Sequence, residues 1–168
     1  MRYSRKSVAS RSRLTVWNFC PIPSVSHRLR AYRPETAIAE KFHAMVVLGE
    51  ANSRMRDFFD IHALAQHEHF IGQVLTNALR ATFDRRRTPI PARLPLALTL
   101  AFAAIPQKQI QWLGFLRRSG GITAPVELGE VIATVAPFLE PAIAAAQRGT
   151  ALESTWPPGG PWKPATGA

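Results

Sequence analysis

Beyond residue 33, apolar side chains recur at helical spacing along most of the chain. Ile38, Phe42, Met45 and Val46 fall on one stripe, Pro34 and Glu35 suit a first turn, and Gly49 follows as a stop, which predicts a helix over roughly 34–48. Asn52 and Ser53 are N-cap types ahead of a second helix, roughly 54–67. Its Met55, Phe58, Phe59, Ile61, Leu64 and Ala65 surround most of the circumference, so this helix is expected to be buried. Phe70, Val74, Leu75, Ala78, Leu79 and Phe83 make a third helix, ended by Asp84-Arg85-Arg86-Arg87 and the prolines at 89 and 91.

Leu94 to Ala104 reads as a fourth helix, and Pro106 opens a fifth that carries Ile110, Trp112, Leu113, Phe115 and Leu116 up to Gly120-Gly121. A last helix starts near Pro125 with Leu128, Val131, Ile132, Val135, Phe138, Leu139 and Ile143 inside it; Pro137 and Pro141 are expected to kink or divide it. The stretch from Trp156 to Trp162 reads as irregular, its two tryptophans capping an apolar surface. No strand period and no internal repeat are visible, so the fold class expected is all-α, a helical bundle.

Composition narrows this picture. A chain of 168 residues with 46% apolar content can bury one core. The most apolar stretch, Leu94 to Ile105, is too short to cross a bilayer and carries Pro95, so no membrane partner is expected. Cys20 is the single cysteine and forms no internal disulfide, which fits a reducing cytoplasm. The net charge of +10 suggests nucleic acid until it is apportioned: residues 1–33 hold eight basic residues and no acid, and the remainder holds thirteen basic and eleven acidic residues. Residues 1–27 therefore read as a loose basic arm, 28–150 as the helical domain, and 151–168 as a Pro/Gly/Trp-rich tail. The arm has the composition of an organellar transit peptide, but a misplaced start or an upstream frameshift is the preferred expectation.

Candidate chemistry concentrates in residues 33–62. At ~100° per residue, Asp57, Asp60 and Leu64 lie within about 60° of one another, so two carboxylates share a face with an apolar neighbour. On a mostly buried helix such a pair is costly unless a cation or metal faces it. Lys41 is the obvious cation, at the edge of the first helix's apolar stripe, where an ammonium reaches a neighbouring helix. The plain structural alternative is that Arg56 satisfies Asp60 at i−4, while free amides near the helix N-terminus satisfy Asp57.

Glu35-Thr-Ala-Ile-Ala-Glu40-Lys41, followed by Asn52-Ser-Arg54-Met-Arg56-Asp57-Phe-Phe-Asp60-Ile61, resembles the late motifs of the AbiEii/AbiGii nucleotidyltransferase toxins: an "ET-x-x-AEK" helix, then an "R/K-D-x-x-D-aliphatic" helix. The likeness runs from about Arg28 to Trp162 and takes in Ala81-Thr-Phe83, the Arg85–Thr88 turn, Gln111-Trp112, Phe115 to Arg118 and the Trp-Pro-Pro-Gly-Gly-Pro-Trp tail.

The resemblance implies transfer of a nucleotide from a nucleoside triphosphate (NTP) to an RNA acceptor, with Mg²⁺, in a type IV toxin–antitoxin system whose antitoxin need not touch the toxin. It implies that Lys41 steadies the triphosphate, that Asp57 is the late acidic residue of the catalytic site, that Arg54 and Arg56 lie near phosphates, and that Asp60 and Glu35 give structural support. The family's fold is α/β, and this chain corresponds to its helical C-terminal half. Its upstream Gly-Ser turn and Asp-x-Asp strand, which hold Mg²⁺, have no counterpart here, so no metal ligands are assigned and the expectation is a truncated chain, inactive by itself.

Other candidates carry less. His43, His62, His67 and His69 read as surface or helix-end residues, not as a metal set. Arg85-Arg86-Arg87 is an RNA-phosphate contact or equally a solvated helix end, and Trp112 beside Arg117 and Arg118 is a base platform or, at helical spacing, core. The rival from another class is a non-catalytic helical module that grips nucleic acid with its basic N-terminal arm.

Overall fold

The computed structural model describes residues 33–120 and 123–165; the expected basic arm over 1–27, Cys20 and Gly121 lie outside them. The first two helices form where the apolar stripes predict, α1 over Pro34–Leu48 and α2 over Met55–His67. Pro34 presets the first turn of α1, and Gly49 ends it at φ +52, a backbone angle that costs glycine nothing. A short 3₁₀ turn, Gly49–Ala51, then reverses the chain into α2. Asn52 is fully buried and does not cap α2; its Oδ1 accepts from the Arg54 amide at 2.9 Å and holds the turn instead.

Three differences from the sequence expectation follow. Phe70–Ile71 is a strand, β1, and the third helix, α3, starts only at Gly72 and runs to Arg86. The expected fourth helix shrinks to a 3₁₀ turn, Leu96–Leu98, and one turn of helix, α4, over Leu100–Ala103. Pro95 disfavours helical angles at Leu94, and extended Thr99 restarts the helix, its Oγ1 accepting from the Phe102 amide at 3.3 Å. After α5, Pro106–Arg118, the last helix α6 runs undivided over Leu128–Arg148 through both internal prolines. Pro141 leaves the Pro137 carbonyl without its usual partner, and the Trp162 indole donates to the adjacent Phe138 carbonyl at 2.9 Å, which anchors this weak point.

The chain is mostly helical, as expected, but the all-α reading is corrected by a small sheet. Ser154–Trp156 forms β2 and Lys163–Pro164 forms β3, in the antiparallel order β1-β2-β3, with Phe70 opposite Trp156 and Thr155 opposite Lys163. The tail is thus regular in part, and its tryptophans do cover an apolar surface. Trp156 is buried and donates to the Ala65 carbonyl at 2.8 Å, and Trp162 stacks on Phe138 with centroids 5.9 Å apart.

By length and composition alone α6 would pass for a membrane span. Here it is the central helix, with Val131, Ile132, Val135, Phe138, Leu139, Ala142 and Ile143 buried against α2, α3, α4 and α5. The first helix packs on α3 and α2, so the edge of its stripe, where Lys41 sits, faces α2.

The start of α3 is held tightly against the tail. A Cβ at Gly72 would lie 2.6 Å from Leu152 Cγ and from the Leu152 carbonyl oxygen, and the backbone cannot yield cheaply. Gly72→Ala is therefore expected to destabilise the fold by about 2 kcal/mol in urea unfolding. Gly114→Ala, which meets only the flexible end of Arg118 in mid-helix, should be neutral or stabilising by up to ~1 kcal/mol.

Candidate functional site

Lys41 lies midway along α1: Ile38, Phe42 and Met45 fix the buried side of the helix, and position 41 falls on its margin. From there its Nζ reaches Asp60 Oδ2 at 2.8 Å and Asp57 Oδ1 at 3.2 Å on α2. The structural alternative to this pairing is only partly realised. Arg56 Nε stands 3.7 Å from Asp60 Oδ1, but its side chain is 74% exposed, so the pair contributes little. The buried Asp57 takes its second cation from Arg54, whose Nε is 2.7 Å from Oδ2, a charge contact without hydrogen-bond alignment.

Burial alone would lower the Lys41 pKa. The hydrogen bonds and negative charges of Asp60 and Asp57 outweigh it, and the ammonium is held above its ordinary 10.5. The residue is therefore charged throughout the neutral range. Its share of stability is fully present below 10.5 and is lost only as pH rises through the folded value.

Around this cluster the surface opens into a cleft of about 450 Å³, lined by Ser53, Arg54, Arg56 and Arg118 as well as the Lys41 triad. That size suits a small-molecule site. A second cleft of about 350 Å³ lies across Lys41 and Arg54, with Glu40, His43 and Arg86 in its wall. A third, between Pro91–Leu94 and Glu140–Gln147, holds one cation and one carboxylate and offers no convergent charge.

Of the sequence-derived candidates, Lys41, Arg54, Arg56, Asp57 and Asp60 come together. Glu35 does not join them: it is half-buried in the first turn of α1 and has no ion pair among the described residues. Trp112 is fully buried, its indole donating to the Pro125 carbonyl at 3.1 Å, so it is core and not a base platform.

Sequence reasoning named Glu40 only within its motif and Arg118 only beside Trp112, and it missed Lys108 altogether. Glu40 binds Arg86 at 2.7 Å and also Arg85, Arg118 enters the cleft from α5, and Lys108 is buried on the same helix. The Lys108 Nζ donates to the Asn52 carbonyl at 2.9 Å and lies 5.0 Å from the Phe102 ring centroid. Because Asn52 in turn holds the Arg54 amide, Lys108 fixes the turn that aims Arg54 at Asp57.

The arrangement is a cleft with more cations than carboxylates in its wall, its ammonium and guanidinium groups facing Asp57 and Asp60. Its sequence pattern has a known owner. The chain belongs to the nucleotidyl transferase AbiEii toxin family of type IV toxin–antitoxin systems, whose pattern matches residues 6–142. The match starts earlier than the likeness expected from Arg28 and stops short of the tryptophan tail. No curated protein and no solved structure is matched.

Enzymes of this class use a nucleoside triphosphate and a divalent metal. The described residues do not fit the metal. Asp57 and Asp60 are the carboxylates of the cleft, and Lys41, Arg54 and Arg56 already face their oxygens. Among the described residues no three His, Cys, Asp or Glu side chains converge.

Removing the ammonium would leave two neighbouring carboxylates opposite one another and one of them buried. Lys41→Met is expected to cost about 2–3 kcal/mol of stability, less than a fully buried pair because Lys41 retains some solvent. Adding Asp57→Asn should recover part of that loss in a urea double-mutant cycle. Additive losses would show that the pair is not coupled.

Proposed function

We propose that residues 33–165 form the triphosphate-holding wall of a nucleotidyl transfer site whose acceptor is RNA. The observation that carries this reading is Lys41 spanning Asp57 and Asp60 at the floor of a cleft rimmed by Arg54, Arg56 and Arg118. An ammonium has three N–H donors, and the two carboxylates engage two. The third is available to a phosphate oxygen in the cleft. Asp57 and Asp60 keep the ammonium charged and fix its position, so it meets the triphosphate without reorganising.

Arg54 and Arg56 flank the opening of α2 with guanidinium groups more than half exposed. They offer forked donors to phosphate oxygens while Asp57 and Asp60 steady their inner sides. Phosphoryl transfer rests mainly on positioning and charge neutralisation, which is what these groups supply. Since the described residues provide no donor set for the divalent ion, they account for binding and orientation and not for a whole catalytic site. Transfer by this chain alone is not expected. In this reading the reaction belongs to the cytoplasm, where nucleoside triphosphate and RNA meet, and no contact between this wall and an antitoxin is required.

Equilibrium binding of a labelled nucleoside triphosphate to the full chain tests the reading. Lys41→Ala, and the exposed variants Arg56→Ala and Arg118→Ala, are each expected to weaken binding about tenfold, on the order of 1.4 kcal/mol for one charge-assisted contact. The exposed variants should melt as the parent does. No measurable binding by the parent, or unchanged binding in all three variants, would overturn the proposal. So would label incorporated into RNA by this chain and lost on Lys41→Ala, as regards its division of labour.

A further inference from the structure

The triphosphate reading leaves unassigned the cleft on the other side of Lys41 and Arg54. Arg86, from the turn Arg85–Thr88 at the end of α3, stands in its wall. Glu40 on α1 grips both Arg85 and Arg86, which leaves their side chains more than half exposed, 59% and 52%, but fixes where the forks point. Thr88 Oγ1 stands 3.0 Å from His43 Nε2 and closes the turn onto α1.

Between them sits Arg87, at φ 52 and ψ 39, left-handed backbone that an L side chain adopts at a cost and that glycine adopts freely. A strained, exposed arginine at the tip of a charged turn points to use rather than to stability.

Charge is also unevenly spread. Of the thirteen basic and eleven acidic residues beyond residue 33, seven cations and three carboxylates belong to the two clefts and this turn. The rest of the described surface is left with more acid than base. The cations of this surface therefore extend past the first cleft onto the turn at the end of α3. In-line transfer also requires the acceptor to lie beside the donor phosphates.

We propose that the cleft between α1 and the Arg85–Thr88 turn, with Arg86 in its wall and exposed Arg87 next to it in the turn, seats the phosphodiester backbone of the polynucleotide acceptor, directly across Lys41 and Arg54 from the triphosphate. This rests on the reading of the first cleft as the triphosphate site. Phosphate contacts of this kind fix the strand's position without reading its bases.

The test is fluorescence anisotropy of a labelled single-stranded RNA, and of a DNA of the same sequence, with the full chain over a salt series. Arg86→Ala and Arg87→Gly are compared with the parent, and triphosphate binding is measured on the same samples. Each variant is expected to weaken RNA binding about five- to tenfold and to reduce the salt slope by about one. Triphosphate affinity should hold, and Arg87→Gly should melt no lower than the parent.

An equal loss on DNA supports a site that recognises phosphate alone, and a loss confined to RNA supports one that also meets the 2′-hydroxyl. Unchanged RNA affinity and slope in both variants overturn the acceptor cleft even where triphosphate binding depends on Lys41. A loss of RNA binding with no triphosphate binding in the parent sinks the first reading and leaves this surface as a nucleic-acid site in its own right.

Discussion

One ammonium between two carboxylates ties the described structure together. Lys41 joins α1 to α2, and without it Asp57 and Asp60 would be two neighbouring anions on a helix whose other faces are apolar. Buried ion pairs are poor sources of net stability, because desolvation consumes most of the attraction. Ordinary core packing would hold these helices at least as well. What the charged version adds is a fixed cation at the floor of a cleft, together with a partly exposed rim of arginines that the same carboxylates orient.

The scaffold behind it is arranged so that this cation does not drift. Phe42 and Phe83 hold α1 against α3, with ring centroids 5.6 Å apart, and Phe58 stacks on Phe102 at 5.7 Å beneath α2. Lys108, buried with only a backbone carbonyl and an aromatic face for company, locks the intervening turn through Asn52. A half-buried and a buried lysine thus shape one cleft by different means: Lys41 presents its charge, and Lys108 spends its hydrogen bond on the backbone that sets the geometry.

Much of this was readable from residue order. Proline at 34 and 106 and glycine at 49 mark helix ends by backbone angle, and the apolar stripes mark which sides are buried. The Lys41 pairing was visible because charges at the margin of an apolar stripe have few places to go. The strands were not visible, since two or three residues carry no period, and β1 pairs with a segment more than eighty positions away. Glu40 with Arg85 and Arg86, and Lys108 with Asn52, join residues 45 to 56 positions apart. No local spacing encodes such partners; only the packing of α1 on α3, and of α5 beside the α1–α2 turn, brings them together.

The aromatic group around Phe138 has a consequence for synthesis on the ribosome. Its members come from Phe70 on one side and from Trp156 and Trp162 on the other, and the indole at 162 braces α6 where its prolines weaken it. Helices emerge in order and can form early, but this part of the core cannot close until residue 162 has left the exit tunnel. Until then α6 keeps an uncovered apolar face, so completion of the core behind the Lys41 cleft is timed by the late arrival of two tryptophans that do not line that cleft.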